Sequence, residues 1–229
     1  MTRIAIHQPE HLPYYGFFNK MNKVDTFVIL DDVQFLKNTF QNRNQIRTSN
    51  GEQWLTVPIK LQHHTQKINE IEIDNSKDWQ KKNLLSIQYN YQKAPFYSIY
   101  YPEFEKIYLK KETHLVNLNL NIINFFMKHL SIKVNLILSS SLNIKTQKTE
   151  RLIDICKKLN AKTYLSGTGT KEYMDESFFP KNNITLEFNH FTHPTYPQLY
   201  KPFKPYMSVL DLLMNCGPES EKIIKGEVQ

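Results

Sequence analysis

The sequence predicts an α/β protein in which a mostly parallel sheet is covered by helices, with a hairpin-containing insertion in the first half. Three observations predict it. Residues 26–30 form a largely apolar run, as in strands that are buried on both faces. The second half of the chain alternates helix and strand patterns, which favours a parallel sheet. An Asn50-Gly51 pair between two strand-like runs predicts a hairpin in the first half.

The first half is predicted to be mainly strands. Residues 2–7 place Ile4 and Ile6 on one face of a short strand, which Pro9 ends. A helix is predicted over 14–21. Further strands are predicted over 45–48, 54–60 and 68–74.

The second half is predicted to alternate helices and strands. A helix over 150–159 is expected to begin at Thr149 as its N-cap. A final helix over 209–215 is expected to begin at Ser208, with Asp211 at the capping-box position. The remaining predicted elements are helices over 77–90, 97–111 and 114–130 and strands over 134–138, 162–165 and 184–188. Since no repeat or linker divides the chain, we expect a single domain over residues 1–229.

The composition is that of a globular protein. Among 229 residues, 40% are hydrophobic and 22% are charged, which excludes disordered, collagen-like and coiled-coil classes. The two cysteines, Cys156 and Cys216, are isolated, so neither a disulfide framework nor a Cys-rich zinc site is predicted. No apolar run is long enough to span a bilayer, and the first residues do not resemble a signal peptide. We therefore expect a cytoplasmic protein without membrane insertion.

The net charge is +7, from 29 Lys and Arg against 22 Asp and Glu. A Lys-rich surface explains this excess without any ligand, and an acidic partner is the alternative. Because there is no basic run and no RNA- or DNA-binding motif, we expect no nucleic-acid partner. A phosphorylated small molecule is the acidic partner that scattered basic residues favour.

Polar clusters follow several predicted strands, at the sheet edge where open parallel sheets bind ligands. Their convergence predicts a site. A run of three serines, Ser139–Ser141, is a further such cluster. The four main clusters are His7-Gln8-Pro9, Asp31-Asp32-Val33-Gln34, Ser166-Gly167-Thr168-Gly169 and Asn189-His190-Phe191-Thr192-His193-Pro194.

His7 is a candidate catalytic residue, either as a general base or as a donor to a developing oxyanion, since imidazole exchanges protons near neutral pH. The alternative is a histidine that is bonded to the loop backbone. His11 follows four residues later, but Pro9 prevents the helix that would align both rings for a metal ion. We expect no metal cofactor.

Asp31 and Asp32 are the other catalytic candidates, as an acid–base pair or as a carboxylate that orients sugar hydroxyls. Successive side chains at a strand end point to opposite faces, so only one of them is expected to enter a cleft. The alternative is that both stabilise a turn.

Phosphate binding is predicted at two places. The guanidinium of Arg43 can bind a phosphate through two parallel hydrogen bonds, and its alternative role is to pack on an aromatic ring. The turn at Ser166 and Gly167 can present backbone N–H groups to a phosphate, although such turns also occur without a ligand.

A loop stiffened by prolines contains His193, Tyr196 and Gln198, which either wall a pocket or close the core. The other predicted substrate-binding residues are Gln8, Gln34, Asn42 and Tyr173.

Taken together, these motifs resemble the WbqC-like protein family. The resemblance implies a role in gene clusters for O-antigen and other surface polysaccharides, and it assigns no catalytic residues. His11 departs from the family pattern, which more often has an aromatic residue there. The motifs are His7-Gln8-Pro9-x-x-Leu12-Pro13-x-x-Gly16-Phe17-Phe18-x-Lys20, Leu30-Asp31-Asp32-Val33-Gln34-Phe35, Asn42-Arg43-Asn44-x-Ile46, Trp54-Leu55-Thr56-Val57-Pro58, Tyr164-Leu165-Ser166-Gly167, His193-Pro194-x-Tyr196-x-Gln198 and Ser208-x-Leu210-Asp211.

We therefore predict an enzyme that modifies a nucleotide-linked sugar, by transferring an acyl or aminoacyl group from a donor to the amine of an amino sugar. His7 would accept the amine proton or polarise the carbonyl, and one Asp would orient the sugar. Arg43 and the Ser166 turn would bind the diphosphate or a phosphate of the donor. The alternatives are an ATP-dependent ligase or nucleotidyl-transfer enzyme, and a non-catalytic scaffold of a polysaccharide assembly complex.

Overall fold

The structure is a computed structural model and describes residues 2–170 and 174–227. The strands are β1 (Arg3–His7), β2 (Thr26–Ile29), β3 (Arg43–Thr48), β4 (Gly51–Thr56), β5 (Ile59–Lys60), β6 (Glu72–Ile73), β7 (Asn135–Leu138), β8 (Thr163–Gly167) and β9 (Thr185–Asn189). The helices are α1 (Tyr15–Met21), α2 (Trp79–Tyr91), α3 (Tyr97–Leu109), α4 (Leu115–His129), α5 (Lys148–Lys158), α6 (Phe178–Lys181), α7 (Val209–Cys216) and α8 (Glu219–Lys225).

Five of the strands form one parallel sheet in the order β7-β2-β1-β8-β9. This confirms the predicted α/β fold. Counted by their position along the chain, the five strands are ordered 3-2-1-4-5. That order is the arrangement of a doubly wound sheet, in which the chain builds one half outward from the centre and then the other.

The sheet is buried on both faces. Ala5 and Phe27 pack into a large apolar cluster with helices α1 to α4, α7 and α8. Their strand neighbours Ile4, Ile6 and Val28 pack into a second cluster with α5 and α6. Because successive side chains of a strand point to opposite faces, this two-sided burial explains the largely apolar run in β2.

The predicted hairpin is confirmed, because β3 and β4 pair antiparallel around a turn at Asn50-Gly51. The strand predicted over 54–60 is wrong in part: it is interrupted at Pro58, which has no N–H for a ladder, and β5 pairs with β6 instead. The strand predicted over 68–74 is also wrong in its first half. There the Lys67 N–H donates to the Glu70 carboxylate at 2.9 Å, and the two residues close a 3-10 turn.

The helix ends follow the sequence signals only in part. Ser208 caps α7, with its Oγ accepting from the Leu210 N–H at 3.2 Å, as predicted. Asp211 does not complete a capping box, because its carboxylate faces the core. Thr149 is not the cap of α5: the helix begins one residue earlier, and the Thr149 hydroxyl accepts from the Asp175 N–H at 3.1 Å. Helix α8 was not predicted.

Candidate functional site

The direction in which the sheet grows changes beside β1. After β1 the chain adds β2 and β7 on one side and then crosses to β8 and β9 on the other. Pairing of β1 with β8 is confined to Arg3–Thr163 and Ile4–Tyr164, so both strands run on beyond their paired residues. The crevice at such a switch point is where doubly wound sheets bind ligands.

A cavity of about 590 Å³ lies at the carboxyl ends of β8 and β9. Its volume is within the range of small-molecule sites. The wall combines residues from the loop after β1, the turns after β8 and β9, and the segment before α7. The described lining residues are Tyr14, Thr168, Asn189, His190, Phe191, Thr192 and Tyr206.

Three ionisable side chains, His7, Glu10 and Lys20, interact at the carboxyl end of β1. His7 Nδ1 lies 3.0 Å from the carbonyl oxygen of Gln8 and 3.8 Å from Oε1 of Glu10. A carbonyl oxygen only accepts, so we assign the proton to Nδ1 and the lone pair to Nε2. Glu10 is 7% exposed and Lys20 is 4% exposed, whereas 29% of the His7 side chain is open to solvent.

Burial moves all three groups toward their neutral forms. It lowers the pKa of His7 from 6.5 to about 3, with the charge of Lys20 adding to the effect. It raises the pKa of Glu10 from 4.5 to about 7 and lowers that of Lys20 from 10.5 to about 7, while the attraction between the two charges opposes both shifts. Glu10 Oε2 is buried without a hydrogen-bond partner among the described residues. Shifted groups and unpaired buried oxygens of this kind are concentrated at functional sites.

Tyr14 connects these charged groups to the cavity. Its ring lines the cavity and lies 6.4 Å from the ring of Tyr206. Its pKa is raised to about 12, mainly by burial and next by the charge of Glu10. A Cβ placed on Gly16 would lie 2.5 Å from the Tyr14 hydroxyl oxygen and 2.6 Å from the ring of Phe191. The absence of a side chain at Gly16 thus allows two rings of the cavity wall to approach α1.

The predicted residue His193 borders the cavity through Tyr206. Its Nδ1 lies 2.9 Å from the carbonyl oxygen of Pro194, and its Nε2 accepts from the Tyr206 N–H at 3.1 Å. The two rings meet edge to face at 4.9 Å. His193 therefore fixes the backbone that carries the exposed Tyr206 ring.

Asp31 and Asp32 belong to a network at the carboxyl end of β2. Asp31 accepts from the Ser140 N–H at 2.9 Å and from the Ser140 hydroxyl at 2.7 Å, and its Oδ1 lies 3.1 Å from Oγ of Ser139. Asp32 accepts from Ser139 and Arg151; burial alone would raise its pKa, but these bonds hold it below the usual value. Both carboxylates thus meet Ser139, contrary to the expectation that they face apart. The network ties β2 to β7 and α5, and a catalytic role for either Asp stays a prediction.

Arg43 adopts the alternative role considered for it. Its guanidinium stacks on the ring of Trp54 at 4.4 Å and donates to the Asn38 carbonyl at 2.6 Å. The predicted amide side chains also bond within the loops, Gln8 to Gln41 at 2.8 Å, Gln34 to His64 at 2.7 Å and Asn42 to Val57 at 2.9 Å.

Ser166 and Gly167 form the turn after β8. Thr170 donates its hydroxyl to the Gly167 carbonyl at 2.8 Å and lies 2.6 Å from the Ser166 hydroxyl. The next residue after Gly167, Thr168, lines the cavity. The turn therefore borders the cavity as predicted for the sheet edge. Tyr173 lies outside the described residues.

Tyr196 and Gln198 point to a buried carboxylate. Oδ2 of Asp211 accepts from the Tyr196 hydroxyl at 2.9 Å and from Gln198 Nε2 at 2.8 Å, and Oδ1 accepts from the Tyr91 hydroxyl at 2.8 Å. Asp211 is 0% exposed. For Tyr196 and Gln198 the geometry favours the core-closing alternative.

Sequence reasoning missed Glu10, Lys20, Tyr14 and Tyr206. A signal for Lys20 was available in the sequence, because it is the one charged residue of the mostly apolar segment that forms α1. Glu10 lies three residues after His7 in the sequence. It is the carboxylate nearest to His7 along the chain, and this proximity was its signal.

The remaining side chains with possible site chemistry are the two cysteines and the groups that could bind a metal ion. Cys156 and Cys216 are buried, and burial raises the pKa of each thiol to about 12. In residues 2–170 and 174–227, no three His, Cys, Asp or Glu side chains are grouped so that they could hold a metal ion. None of the described helices is long and apolar enough to cross a bilayer.

Replacing Lys20 with Met is expected to stabilise the fold at neutral pH by about 1–3 kcal/mol, because burial of the ammonium group outweighs its attraction to Glu10 and Glu10 can take up a proton once the lysine is gone. The folded pKa of Lys20 lies below its unfolded value, so the cost of the wild-type lysine grows as pH falls from about 10.5 to about 7 and then stays constant. Urea unfolding should show that the variant gains less free energy of unfolding over the wild type at about pH 10 than at pH 7. Lys222→Met, on the surface, is the control; an equal gain at both pH values would contradict the assigned shift.

The fold and the site define an α/β protein of the doubly wound class, with ionisable groups and a cavity at the carboxyl ends of its central strands. The chain belongs to the WbqC-like protein family, whose model matches residues 8–223. A protein of Mycobacterium tuberculosis named "Uncharacterized protein Rv1507c" is 35% identical over 228 residues, which cover 98% of each chain. No solved structure matches the chain.

Proposed function

We propose that the protein is an enzyme of bacterial surface polysaccharide synthesis that transfers an acyl or aminoacyl group to the amine of a nucleotide-linked sugar. The observation that carries the proposal is the His7–Glu10 pair at the carboxyl end of β1, next to the loop that also lines a cavity of about 590 Å³. Amide formation from an amine needs a proton acceptor beside the bound substrate. The polysaccharide context is the one that the family resemblance implies.

In the proposed reaction, the sugar nitrogen forms a bond to the acyl carbon, and the bond between that carbon and the leaving group of the donor breaks. The nitrogen is cationic and acidic once its new bond has formed. Its proton passes to Nε2 of His7 and from there to the leaving group. With a pKa of about 3, His7 is a weak base, but a weak base suffices for so acidic a nitrogen.

Glu10 supports this transfer from the other side of the imidazole. Its Oε1 lies 3.8 Å from Nδ1 of His7, close enough for its negative charge to stabilise the imidazolium. The Gln8 carbonyl, at 3.0 Å from Nδ1, holds the ring in the reactive tautomer. The positive charge of Lys20 lowers the pKa of Glu10. Lys20 therefore increases the fraction of Glu10 that is ionised near neutral pH.

The second candidate function is that of an ATP-dependent ligase or nucleotidyl-transfer enzyme, which the strand order favours. The order 3-2-1-4-5, with its switch point beside β1, is shared with nucleotide-binding doubly wound proteins. This is an analogy of fold. A ligase would form the same amide but would consume ATP and release pyrophosphate.

The test is product formation by the full chain. UDP- and dTDP-linked amino sugars are incubated with acetyl-CoA, or with amino acids and ATP, and the products are analysed by mass spectrometry. An acyl mass added without ATP supports the transferase, and product that appears together with pyrophosphate supports the ligase. If no sugar is modified and none raises the unfolding temperature, the proposal is overturned in favour of a scaffold. The control is His63→Ala, a change at an exposed histidine. If a folded His7→Ala variant forms product as fast as this control, the reaction does not depend on His7.

A further inference from the structure

The described wall of the cavity beside β8 and β9 is uncharged. It presents three aromatic rings together with hydroxyl, amide and imidazole groups, and no Asp, Glu, Lys or Arg is among its described residues. A diphosphate is recognised mainly by cationic side chains and backbone N–H groups. A sugar ring, by contrast, offers an apolar C–H face to aromatic rings and hydroxyls to neutral polar groups.

Asn189 is a fixed hydrogen-bonding group in this wall. Its Oδ1 accepts from Nζ of Lys23 at 2.7 Å, and its Nδ2 donates to Oδ1 of Asn19 at 3.3 Å. The lysine contact identifies which amide atom is the oxygen, since Nζ only donates. Among the residues that the structure describes, one N–H and one lone pair of Asn189 have no partner, so they are oriented for a ligand without rearrangement.

Tyr206 supplies a solvent-exposed aromatic face. The residue is 59% exposed and has a φ of 64°, in the left-handed region that bulky side chains rarely occupy. His193 holds this conformation through its bond to the Tyr206 N–H. Backbone conformations of this kind persist where surrounding contacts enforce them, and they are concentrated at ligand-binding sites.

The cavity also adjoins the ionisable groups, because Tyr14 lines it and lies within the electrostatic reach of Glu10. We propose that this cavity is the subsite for the pyranose ring of the nucleotide-linked substrate, with Tyr206 stacking on the ring and Asn189 bonding its hydroxyls. The inference rests on the proposed function, in which the amine of that ring reacts beside His7 and Glu10.

The test compares UDP-glucosamine with UDP by isothermal titration of the full chain, and dTDP-glucosamine with dTDP in the same way. Tyr206→Ala is expected to weaken binding of the nucleotide sugars about tenfold and to leave binding of the free nucleotides unchanged. Tyr206→Phe keeps the ring and should retain the affinity. Tyr89→Ala removes another exposed tyrosine, on α2 (74% exposed), and is the matched control. Thermal unfolding of each variant checks its fold.

Equal weakening of nucleotide and nucleotide-sugar binding by Tyr206→Ala would overturn the inference, because the ring would then contact the nucleotide. Unchanged binding of both, or no binding of any of these ligands, would also overturn it. The outcome also separates the two proposals. Selective loss of sugar binding without any acyl product supports the subsite and counts against the transferase. Acyl transfer with an unchanged KM in Tyr206→Ala supports the transferase and counts against the subsite.

Discussion

Glu10→Gln is expected to lower kcat by about 10²–10⁴-fold, the range seen when a proton-transfer group or the carboxylate that supports it is removed. The amide has the same shape as the carboxylate but carries no charge to stabilise the His7 imidazolium. Since the pKa of Glu10 is about 7, the wild-type rate should fall as pH drops below that value, where the carboxyl takes up a proton. The variant should lack this acidic limb.

The measurement is kcat against pH for the wild type, Glu10→Gln and Glu176→Gln, of which the last changes an exposed carboxylate. Glu10→Gln should be no less stable than the wild type at pH 7, because the ionised carboxylate is buried at a cost. A variant that retains full kcat and the same acidic limb would rule out the assigned role of Glu10. A variant that is inactive because it is unfolded would be recognised by its melting curve.

Asp211→Ala is expected to destabilise the protein by about 3–5 kcal/mol, the range for removing one partner of a buried polar network. Tyr91, Tyr196 and Gln198 all donate to this carboxylate at 2.8–2.9 Å. Removing the carboxylate takes away the acceptor of these three buried bonds. The same bonds join α2 and the loop before α7 to α7 itself. Asp211→Asn keeps one acceptor oxygen and should therefore lose less stability than Asp211→Ala.

Urea unfolding of the purified variants measures this loss. Asp78→Ala is the control, since its side chain is 72% exposed and forms a surface ion pair with Lys81. If Asp211→Ala and Asp78→Ala unfold at the same urea concentration, the network does not stabilise the fold.

The sequence was sufficient to predict the parallel sheet because strand patterns are local. The apolar run in β2 reflects the burial of that strand alone, and the Asn50-Gly51 pair reflects the backbone geometry of its own turn. Each signal therefore depends on only a few neighbouring residues. The capping box at Asp211 failed for the opposite reason. One of the groups that donates to its carboxylate is the Tyr91 hydroxyl, 120 residues away in the chain, and a local motif carries no information on such a partner.

The sequence could place the candidate residues along the sheet but not their contacts. His7 and the Ser166 turn were proposed because the carboxyl ends of parallel strands converge at one edge of a sheet, and their role stays a prediction. Whether a polar side chain there faces a cavity or another side chain depends on packing. Arg43 therefore stacks on Trp54 and Tyr196 bonds Asp211, while Glu10 and Lys20 were overlooked because isolated charged residues usually lie on the surface.

The central position of β1 has a consequence for how the chain folds as it is made. One edge of β1 is covered early by β2, but its other partner, β8, follows roughly 160 residues later. At translation speeds of about 5–20 residues per second, that edge stays open for on the order of ten to thirty seconds. Ile4 and Ile6 lie on this unprotected strand, and open apolar edges pair readily with other chains. The nascent protein is therefore most exposed to aggregation before β8 leaves the ribosome.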